Sequence, residues 1–423
     1  LMGLGLLGRG AGDAAFLARC GAQVLVTDLK TQVQLASSLA ALQEFKNIRY
    51  TLGEHRLEDF RRCDFVLKAA GVPLDSPYIS EARKNKIPVY MSTALFAKFA
   101  REKGATIVGV TGTRGKSTVT HLVYHALKKA GRRAHLGGNV QGVSTLALLP
   151  KVKKGDACVL ELDSWQLQGF GELKISPQIA VFTNLQDDHL LYYKNNRDAY
   201  FSDKANIFRF QENDDTLIAG KEVTDSWLAK THPPIAPLVP APLPAEVNLK
   251  ILGAHNRENA GFAGAALCVL GVPRDGIKKG LESFRPVAGR LEYIRTVRGI
   301  HIYNDNNATT PDATIAALRA LGKNIILICG GTDKGLDMSK LVAEMPKYCK
   351  TVILLRETGT EKLKKELANF TERETLKECV KMAMQIAKKD DIILFSPAFA
   401  SFGKWFKNEY DRGAQFVKLV KQL

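Results

Sequence analysis

The stretch Val108-Gly-Val-Thr-Gly-Thr-Arg-Gly-Lys-Ser-Thr118 decides how the rest of this sequence is interpreted. It overlaps the apolar run 106–110, which predicts a buried strand, and it opens a helical segment at 116–129. Glycines let backbone N–H groups face a phosphate, a lysine adds a point charge, and a serine hydroxyl can reach a magnesium ion. Position 110 is Val where a strict Walker A motif has its first glycine, so 112–117 is a tighter variant. The stretch predicts a strand, a phosphate-binding loop and a helix.

Strand-like and helix-like segments alternate on both sides of this loop. Before it, the predicted strands are 23–28, 64–70 and 88–91, and the predicted helices are 14–20 and 79–86. After it, continuous apolar runs at 156–161 and 178–182 predict buried strands, and the Ala-rich segment 256–270 predicts a helix. Such alternation implies a parallel sheet with helices on its faces.

The pattern restarts after Pro286. Segments 291–297 and 300–303 predict a hairpin, and these are followed by a helix at 312–321 and strands at 324–329, 351–355 and 391–395. The proline-rich segment 233–244 predicts an extended loop. We therefore predict an α/β fold with three domains: a Rossmann-like domain at 1–92, a central P-loop-type ATPase domain with a parallel sheet at 93–286, and a second Rossmann-like domain at 287–423.

Composition excludes several classes of protein. The chain has 423 residues, of which 45% are hydrophobic and 24% charged, so it is neither disordered nor collagen-like. No apolar run approaches the roughly 18 residues needed to span a bilayer. The net charge of +17 indicates negatively charged partners. Since the glycine-rich loop begins at Gly3, we expect a few N-terminal residues to be missing.

The seven cysteines are scattered and have no zinc or redox spacing. This pattern predicts reduced thiols buried in the core and a cytoplasmic location.

A second glycine-rich loop lies at the start of the chain. Gly3-Leu-Gly-Leu-Leu-Gly8 has the G-x-G-x-x-G spacing before a helix, and Asp28 ends the next predicted strand. Such a loop lets the backbone approach a pyrophosphate at a helix N-terminus. The pattern is usual for NAD or FAD, but another nucleotide diphosphate would use the same physics.

Polar residues follow several predicted strands, where ligands bind in open parallel sheets. Glu161 ends one strand of the central region, His189 follows the end of another, and Lys204 lies on a predicted helix. In the third region, small and polar residues follow strands at 304–305, 330–335 and 396–401, as a small-molecule cleft requires.

These motifs together resemble the Mur ligases, and the resemblance covers essentially the whole chain. The motifs that carry it are Thr111-Gly-Thr-Arg-Gly-Lys-Ser117, Glu161, Asn184, Asp188-His189, His255-Asn256, Gly289-Arg290, Asn304-Asp305, 330–334, 396–401, Phe406-Lys-Asn and Arg412-Gly413. The ending is most similar to that of the family member that adds D-glutamate.

The resemblance implies ATP-driven amide formation through an acyl phosphate, with UDP-N-acetylmuramoyl-L-alanine and D-glutamate as substrates. The first domain would hold the UDP moiety, the second ATP and the third the incoming amino acid. It also implies two magnesium ions, a carbamylated lysine at Lys204, a monomer, and neither nucleic acid nor membrane as partner.

The resemblance also assigns residues. Catalytic roles fall to Lys116, His189 and Lys204, and metal ligation to Ser117, Glu161, His189 and Lys204 as its carbamate. ATP contacts fall to Gly112, Thr113, Gly115, Lys116, Ser117, Thr118, Asn259, Arg290 and Asp305. Contacts to the UDP substrate fall to Gly5, Leu6, Leu7, Asp28, Gly71 and Asn139, and contacts to the amino acid to Thr309, Lys334 and Ser401.

The chain departs from the family pattern at four places. Arg114 stands where Asn is usual, Lys68-Ala-Ala-Gly71 replaces Ser-Pro-Gly, Asn307 replaces a common Lys, and the stretch from Ser401 to Phe406 is one residue longer. Another Mur-type ligase, with a different amino acid or acceptor, therefore stays open.

Three other classes account for less of the sequence. A basic nucleic-acid-binding P-loop ATPase should show a basic stripe with interleaved aromatic residues, whereas the basic residues here are spread along the chain. A nicotinamide dehydrogenase accounts for 3–8 but not for 112–117. A folylpolyglutamate-type ligase lacks the first nucleotide domain.

Overall fold

The structure is a computed structural model that describes residues 1–188, 192–401, 403 and 405–423, without the side chain of Glu409. The chain folds as two compact units. The first comprises Leu1–Leu243 with Asn259–Leu281, and the second comprises Pro244–Glu258 with Glu282–Leu423. Because residues 1–92 fold in the same unit as the central sheet, the division into three domains stays a prediction.

The first unit begins with short parallel strands. These are β1 (Val24–Asp28), β2 (Ile48–Leu52), β3 (Val66–Leu67) and β4 (Val89–Tyr90), and β1 pairs with β2 while β3 pairs with β4. Met2 forms parallel bridges to Thr27 and Lys68, so it lies between the two pairs. The helices of this part are α1 (Arg9–Arg19), α2 (Ala36–Ala40), α3 (Pro77–Lys84) and α4 (Ser92–Glu102), with a 3-10 turn at Leu57–Phe60.

The central sheet of the first unit has five parallel strands in the order β6-β7-β5-β8-β9. They are β5 (Thr106–Thr111), β6 (Ala134–Gly138), β7 (Ala157–Glu161), β8 (Ile179–Phe182) and β9 (Thr216–Ala219). Every residue of β7 and of β8 is buried, as expected for a parallel sheet covered on both faces. Because β5 lies between β7 and β8, the segments after these three strands meet at one edge.

Helices surround this sheet. They are α5 (Lys116–Lys129), α6 (Ser164–Leu173), α7 (Arg197–Ala205), α8 (Lys221–Val223), α9 (Ala229–Thr231), α10 (Ala254–Val269) and α11 (Arg274–Ser283), with a 3-10 turn at Leu146–Lys151 and a π turn at Thr224–Leu228.

The second unit is built on a six-stranded sheet in the order β10-β11-β15-β12-β13-β14. The strands are β10 (Glu292–Val297), β11 (Ile300–Asn304), β12 (Ile325–Cys329), β13 (Cys349–Leu355), β14 (Thr371–Arg373) and β15 (Ile392–Phe395). The helices are α12 (Pro311–Leu321), α13 (Ser339–Tyr348), α14 (Thr360–Glu366), α15 (Leu376–Ile386) and α16 (Glu409–Lys421). The predicted hairpin is confirmed, since β10 and β11 pair antiparallel while the other pairs are parallel.

The predicted α/β class with parallel sheets is therefore confirmed. The structure adds four strands that the sequence patterns did not predict: β2, β6, β9 and β14. The proline-rich segment 233–244 is a loop, as predicted, apart from a bridge between Leu238 and Ile218. Within the described part of the chain, no helix is long and apolar enough to cross a membrane.

All seven cysteines are free thiols, as predicted. The expectation that every one is a buried core residue was wrong, because Cys20 and Cys268 are exposed. Cys20 caps the end of α1, and Cys268 is near the end of α10, where one helix face meets solvent.

Candidate active site

The phosphate-binding loop connects β5 to α5 and requires its glycines. Gly112 has a φ of +141° and Gly115 a φ of +82°, a region that side chains with a Cβ rarely adopt. A Cβ on Gly112 would overlap Thr183 Oγ1, and a Cβ on Gly115 would overlap Asn259 Oδ1. The loop is therefore a tight turn packed against Thr183, the residue after β8, and against Asn259 of α10. The positive end of the α5 dipole lies at the end of the loop.

Two lysines converge on this loop. Lys116 Nζ donates to the carbonyl oxygens of Gly112 and Thr113 at 2.9 and 3.0 Å. Lys204 Nζ, on α7, donates to Gly112 O at 2.9 Å and to Thr111 Oγ1 at 3.4 Å. Lys204 is 1% exposed, and its Nζ lies 4.8 Å from the centre of the Tyr200 ring. Burial, and then the charge of Lys116, lower the pKa of Lys204 well below its usual value.

The predicted metal ligands in the described part of the chain lie near the same loop. Ser117 is buried in the first turn of α5, and Glu161 is buried at the end of β7, next to β5. His189 lies outside the described residues. Among the residues that the structure describes, no group of three or more His, Cys, Asp or Glu side chains could hold a metal ion. The metal site therefore stays a prediction.

A segment that sequence reasoning did not assign braces the loop. Asn184, just after β8, accepts the N–H of Thr113 on its carbonyl oxygen at 2.9 Å and the N–H of Arg114 on Oδ1 at 2.8 Å. Thr113 Oγ1 donates to Gln186 O at 3.1 Å and accepts from Gln186 N at 2.9 Å. Asn184 was among the motif residues, but its place beside the loop follows only from the pairing of β8 with β5.

The other predicted ATP contacts fall into both units. Thr118 is buried on α5, and Asn259 on α10 reaches Gly115 as described above. In the second unit, Asp305 Oδ1 accepts the N–H of Leu291, the residue after Arg290, at 2.9 Å. Asp305 Oδ2 accepts from Ser396 Oγ at 2.9 Å, and burial raises the pKa of Asp305 to about 7. Asp305 thereby fixes the turn that carries Arg290.

The first glycine-rich loop is held by Asp28. Its Oδ2 accepts the N–H groups of Leu4 and Gly5 at 2.8 and 3.0 Å, and its Oδ1 accepts Lys30 N at 2.8 Å. Leu6 at the tip of the loop is 40% exposed. The buried carboxylate therefore orders the turn and leaves an apolar side chain facing solvent.

The remaining predicted UDP contacts lie around this loop. Leu7 is half-buried beside Leu6, and Gly71 is exposed in the turn after β3. Asn139 follows β6, and its backbone N–H donates to Glu161 O at 2.8 Å. Arg9, the first residue of α1, donates to Asn139 Oδ1 at 2.6 Å. The segment after β6 thus joins the first glycine-rich loop to the edge of the central sheet.

A second contact between α1 and this segment was also not predicted. Ser144 Oγ donates to Asp13 Oδ1 at 2.6 Å, and both side chains are buried. A Cβ on Gly12 would come within 2.5 Å of Ser144 Cβ, so α1 packs closely there. Burial raises the pKa of Asp13 to about 6.

At two of the positions that depart from the family pattern, the side chain contacts another residue. An amino group of Arg114 lies 3.7 Å from Asp188 Oδ2. Lys68 Nζ donates to Val72 O at 2.9 Å, and burial lowers the pKa of Lys68 to about 8. Both side chains therefore point into the folded unit, not away from it.

The three predicted amino-acid contacts lie on loops that leave neighbouring strands of the second unit. Lys334, after β12, donates from Nζ to Thr309 Oγ1, after β11, at 3.2 Å. Ser401, after β15, is buried. Because β15 lies between β11 and β12, the fold brings the three loops together.

A glycine-rich loop between a buried strand and a helix, contacted by two lysines, is typical of a nucleotide-binding α/β protein. Models of the Mur ligase middle domain and of the Mur ligase glutamate ligase domain match residues 110–236 and 289–399. The chain belongs to the Mur ligase family.

Its relatives and structural neighbours are consistent with this. It is 34% identical to the UDP-N-acetylmuramoylalanine–D-glutamate ligase of Borreliella afzelii, covering 100% of this chain and 97% of that one. It is 35% identical to the protein of the same name from a Roseiflexus species, covering 100% and 98%. The fold matches a UDP-N-acetylmuramate-alanine ligase of Thermotoga maritima with a TM-score of 0.64 at 20% identity, covering 100% and 98%. A MurF ligase of the same organism in complex with ADP matches with a TM-score of 0.61 at 18% identity, covering 87% and 97%.

Proposed function

We propose that this protein is an ATP-dependent ligase that joins D-glutamate to UDP-N-acetylmuramoyl-L-alanine in peptidoglycan precursor synthesis. The observation that carries the proposal is identity of 33–35% to three relatives named for that reaction, over 97–98% of their length. The identity extends over the whole chain, so it includes all the parts to which we assign the substrates.

The reaction is a phosphoryl transfer followed by an acyl transfer. The carboxylate of the L-alanine residue attacks the γ-phosphorus of ATP and releases ADP, which gives an acyl phosphate. The uncharged amine of D-glutamate then attacks the acyl carbon. The resulting tetrahedral intermediate expels phosphate, and the nitrogen loses a proton as the amide forms. Such transfers depend on positioning and on neutralising charge more than on protein nucleophiles.

The phosphate-binding loop supports the ATP part of this reaction. Its N–H groups and Lys116 would meet the phosphates, with Thr113, Gly115, Ser117 and Thr118 lining the loop. The contacts of Asn184 with Thr113 and Arg114 keep the loop in place before ATP arrives, so little ordering is left for the binding step. Asn259, Arg290 and Asp305 are each proposed, through the family resemblance, to contact ATP.

Ser117 and Glu161 suit a magnesium ion bound together with ATP. Magnesium uses one or two carboxylates and fills its remaining positions with phosphate oxygens and water. When bound, the ion supplies charge neutralisation and polarises the γ-phosphoryl group. His189 and a second ion belong to the proposal through the family resemblance.

Lys204 is proposed to carry a carbamate. The uncharged amine adds to the carbon of CO2 and releases one proton, which leaves a carboxylate-like anion on Lys204. The burial of Lys204 supports this, because the modification replaces a buried ammonium that Lys116 repels. The carbamate would join Ser117 and Glu161 in holding metal.

The two other substrates are assigned to separate parts of the chain. Gly5, Leu6, Leu7, Asp28, Gly71 and Asn139 are proposed to bind the UDP substrate. Thr309, Lys334 and Ser401 are proposed to bind D-glutamate, whose two carboxylates need cations and hydroxyl donors. The domains would be 1–92, 93–286 and 287–423. We place the protein in the cytoplasm as a monomer with small-molecule partners.

Phosphate release tests the proposal. Purified protein should release phosphate with ATP, magnesium, UDP-N-acetylmuramoyl-L-alanine and D-glutamate together, and omission of any one should stop the release. Lys116→Met should abolish turnover, while Lys128→Met, an exposed position on the same helix, should not. Full turnover by Lys116→Met would contradict the role of the loop.

A further inference from the structure

Arg412 lies on α16 in the second unit and is completely buried. Its guanidinium donates to two segments. Nε donates to Asn306 Oδ1 at 2.7 Å, and one amino group donates to Asn306 O at 3.0 Å. The other amino group donates to Ala400 O at 3.1 Å, and both amino groups approach Phe399 O at 3.4 Å.

The two segments joined by Arg412 are those that carry Thr309 and Ser401. Asn306 lies three residues before Thr309 in the loop after β11, and Ala400 directly precedes Ser401 in the loop after β15. The side chain of Arg412 therefore connects the loop after β11 to the loop after β15.

The loop after β12, which carries Lys334, is hydrogen-bonded to the loop after β15. Thr332 and Ala400 exchange backbone hydrogen bonds, with N-to-O distances of 3.0 and 3.1 Å. A Cβ on Gly331 would lie 3.1 Å from an amino nitrogen of Arg412, so glycine lets this loop approach the guanidinium. Lys334, two residues after Thr332, is thus held relative to Arg412 as well.

The chemistry of the guanidinium suits this task. It is planar and presents five N–H donors in fixed directions, so the positions of its acceptors are fixed relative to one another. A lysine ammonium has one nitrogen and cannot bridge both loops with the same spacing. Gly413 contributes by packing, because a Cβ there would lie 3.1 Å from Asn306 Nδ2.

We propose that Arg412 is a positioning residue for an acidic amino-acid substrate, because it sets the distance between the loops of Thr309, Lys334 and Ser401. The inference rests on the proposed function, since it assigns those loops to D-glutamate. A dicarboxylic amino acid must be held at both ends, so its binding depends steeply on the spacing of the loops.

The test uses the full-length protein with Arg412→Lys and Asn306→Ala, and with Arg319→Lys as a matched control. Arg319 is an exposed guanidinium of the same unit, paired with Glu344. We expect Arg412→Lys to raise the KM for D-glutamate about tenfold or more, the effect of losing one to two charged hydrogen bonds. The KM values for ATP and the UDP substrate should change less than about twofold. Asn306→Ala should act in the same direction, and Asn306→Asp, which keeps an acceptor, should restore the KM.

A purely structural role would give a different result. It would lower the Tm and the kcat of Arg412→Lys without a selective rise in one KM, and Asn306→Asp would not restore binding. Either that pattern or an unchanged KM overturns the inference. Turnover of the wild-type protein with D-glutamate tests the proposed function by itself. The role of Arg412 is tested separately, by the ratio of variant to wild-type KM for whichever amino acid supports turnover.

Discussion

Lys204 and Lys116 donate to the same acceptor, since the Nζ atoms of both lie 2.9 Å from the carbonyl oxygen of Gly112. Two ammonium groups on one carbonyl repel each other, and one of them is fully buried. Burial first, and then the charge of Lys116, lower the pKa of Lys204. The contact of Lys204 with Gly112 also connects α7 directly to the phosphate-binding loop.

Replacing Lys204 should therefore disable the protein without unfolding it. Lys204→Met keeps the length and apolar stem of the side chain but removes the amine that contacts Gly112. We expect kcat to fall at least about a hundredfold, the effect of losing a preorganised group near the transferred phosphoryl group. Added bicarbonate should restore little activity. Lys221→Met, at an exposed lysine paired with Asp225, is the control, and a full rate for Lys204→Met would contradict the assignment.

Gly115 and Gly131 provide a matched pair of substitutions. Both have positive φ values, +82° and +72°, but a Cβ on Gly115 would overlap Asn259 whereas Gly131 has open space around it. Each change to Ala should cost roughly 1–2 kcal/mol of stability from backbone strain alone. Gly115→Ala should in addition raise the KM for ATP about tenfold or more. Equal KM values for the two variants would show that Asn259 does not shape the loop.

Arg9 and Asn139 should act together on the UDP substrate. Their 2.6 Å hydrogen bond joins the first helical residue of α1 to the segment after β6. We expect Arg9→Ala and Asn139→Ala each to raise the KM for the UDP substrate severalfold, with a coupling free energy of about 1 kcal/mol in the double variant. Arg19→Ala, at the other end of α1, should leave that KM unchanged. Additive effects of Arg9→Ala and Asn139→Ala would contradict the coupling.

Asp13 should make stability depend on pH. Burial raises its pKa from 3.8 to about 6, so the folded state binds the proton more tightly than the unfolded state. Its contribution to stability is complete below pH 3.8 and is lost as pH rises through 6. The free energy of unfolding of Asp13→Asn relative to wild type should therefore rise by roughly 2 kcal/mol between pH 4.5 and 7.

Urea unfolding at several pH values measures this difference. Asp275→Asn, a substitution of the same type at an exposed position on α11, is the control. A difference for Asp13→Asn that stays constant with pH would contradict the raised pKa.

Local patterns predicted much of the fold. The helix at Lys116–Lys129 begins and ends where the sequence indicated, because the glycine before it and the buried strand at Thr106–Thr111 are local signals. The strand at Ala134–Gly138 was missed, since glycines at 137 and 138 have low strand propensity and pairing with β7 overrides it. The strand at Ile48–Leu52 was missed because two of its central residues are exposed.

The sequence predicted those residues of the site that lie within contiguous motifs. The phosphate-binding loop is contiguous in the sequence, so its residues could be named. Three roles depend on contacts between segments that are far apart in the chain. They are the contact of Asn184 with the phosphate-binding loop, that of Arg9 with Asn139, and that of Arg412 with two loops of the second unit. Spacing within one segment carries no information about such contacts.

The identity of the added amino acid tests the proposed function most directly. With ATP, magnesium and UDP-N-acetylmuramoyl-L-alanine, the protein should be offered D-glutamate, L-glutamate, L-alanine and a diamino acid in parallel, with the product identified by mass spectrometry. We expect ADP, phosphate and one new amide-linked product with D-glutamate alone. A product with another amino acid, and none with D-glutamate, would contradict the proposed function.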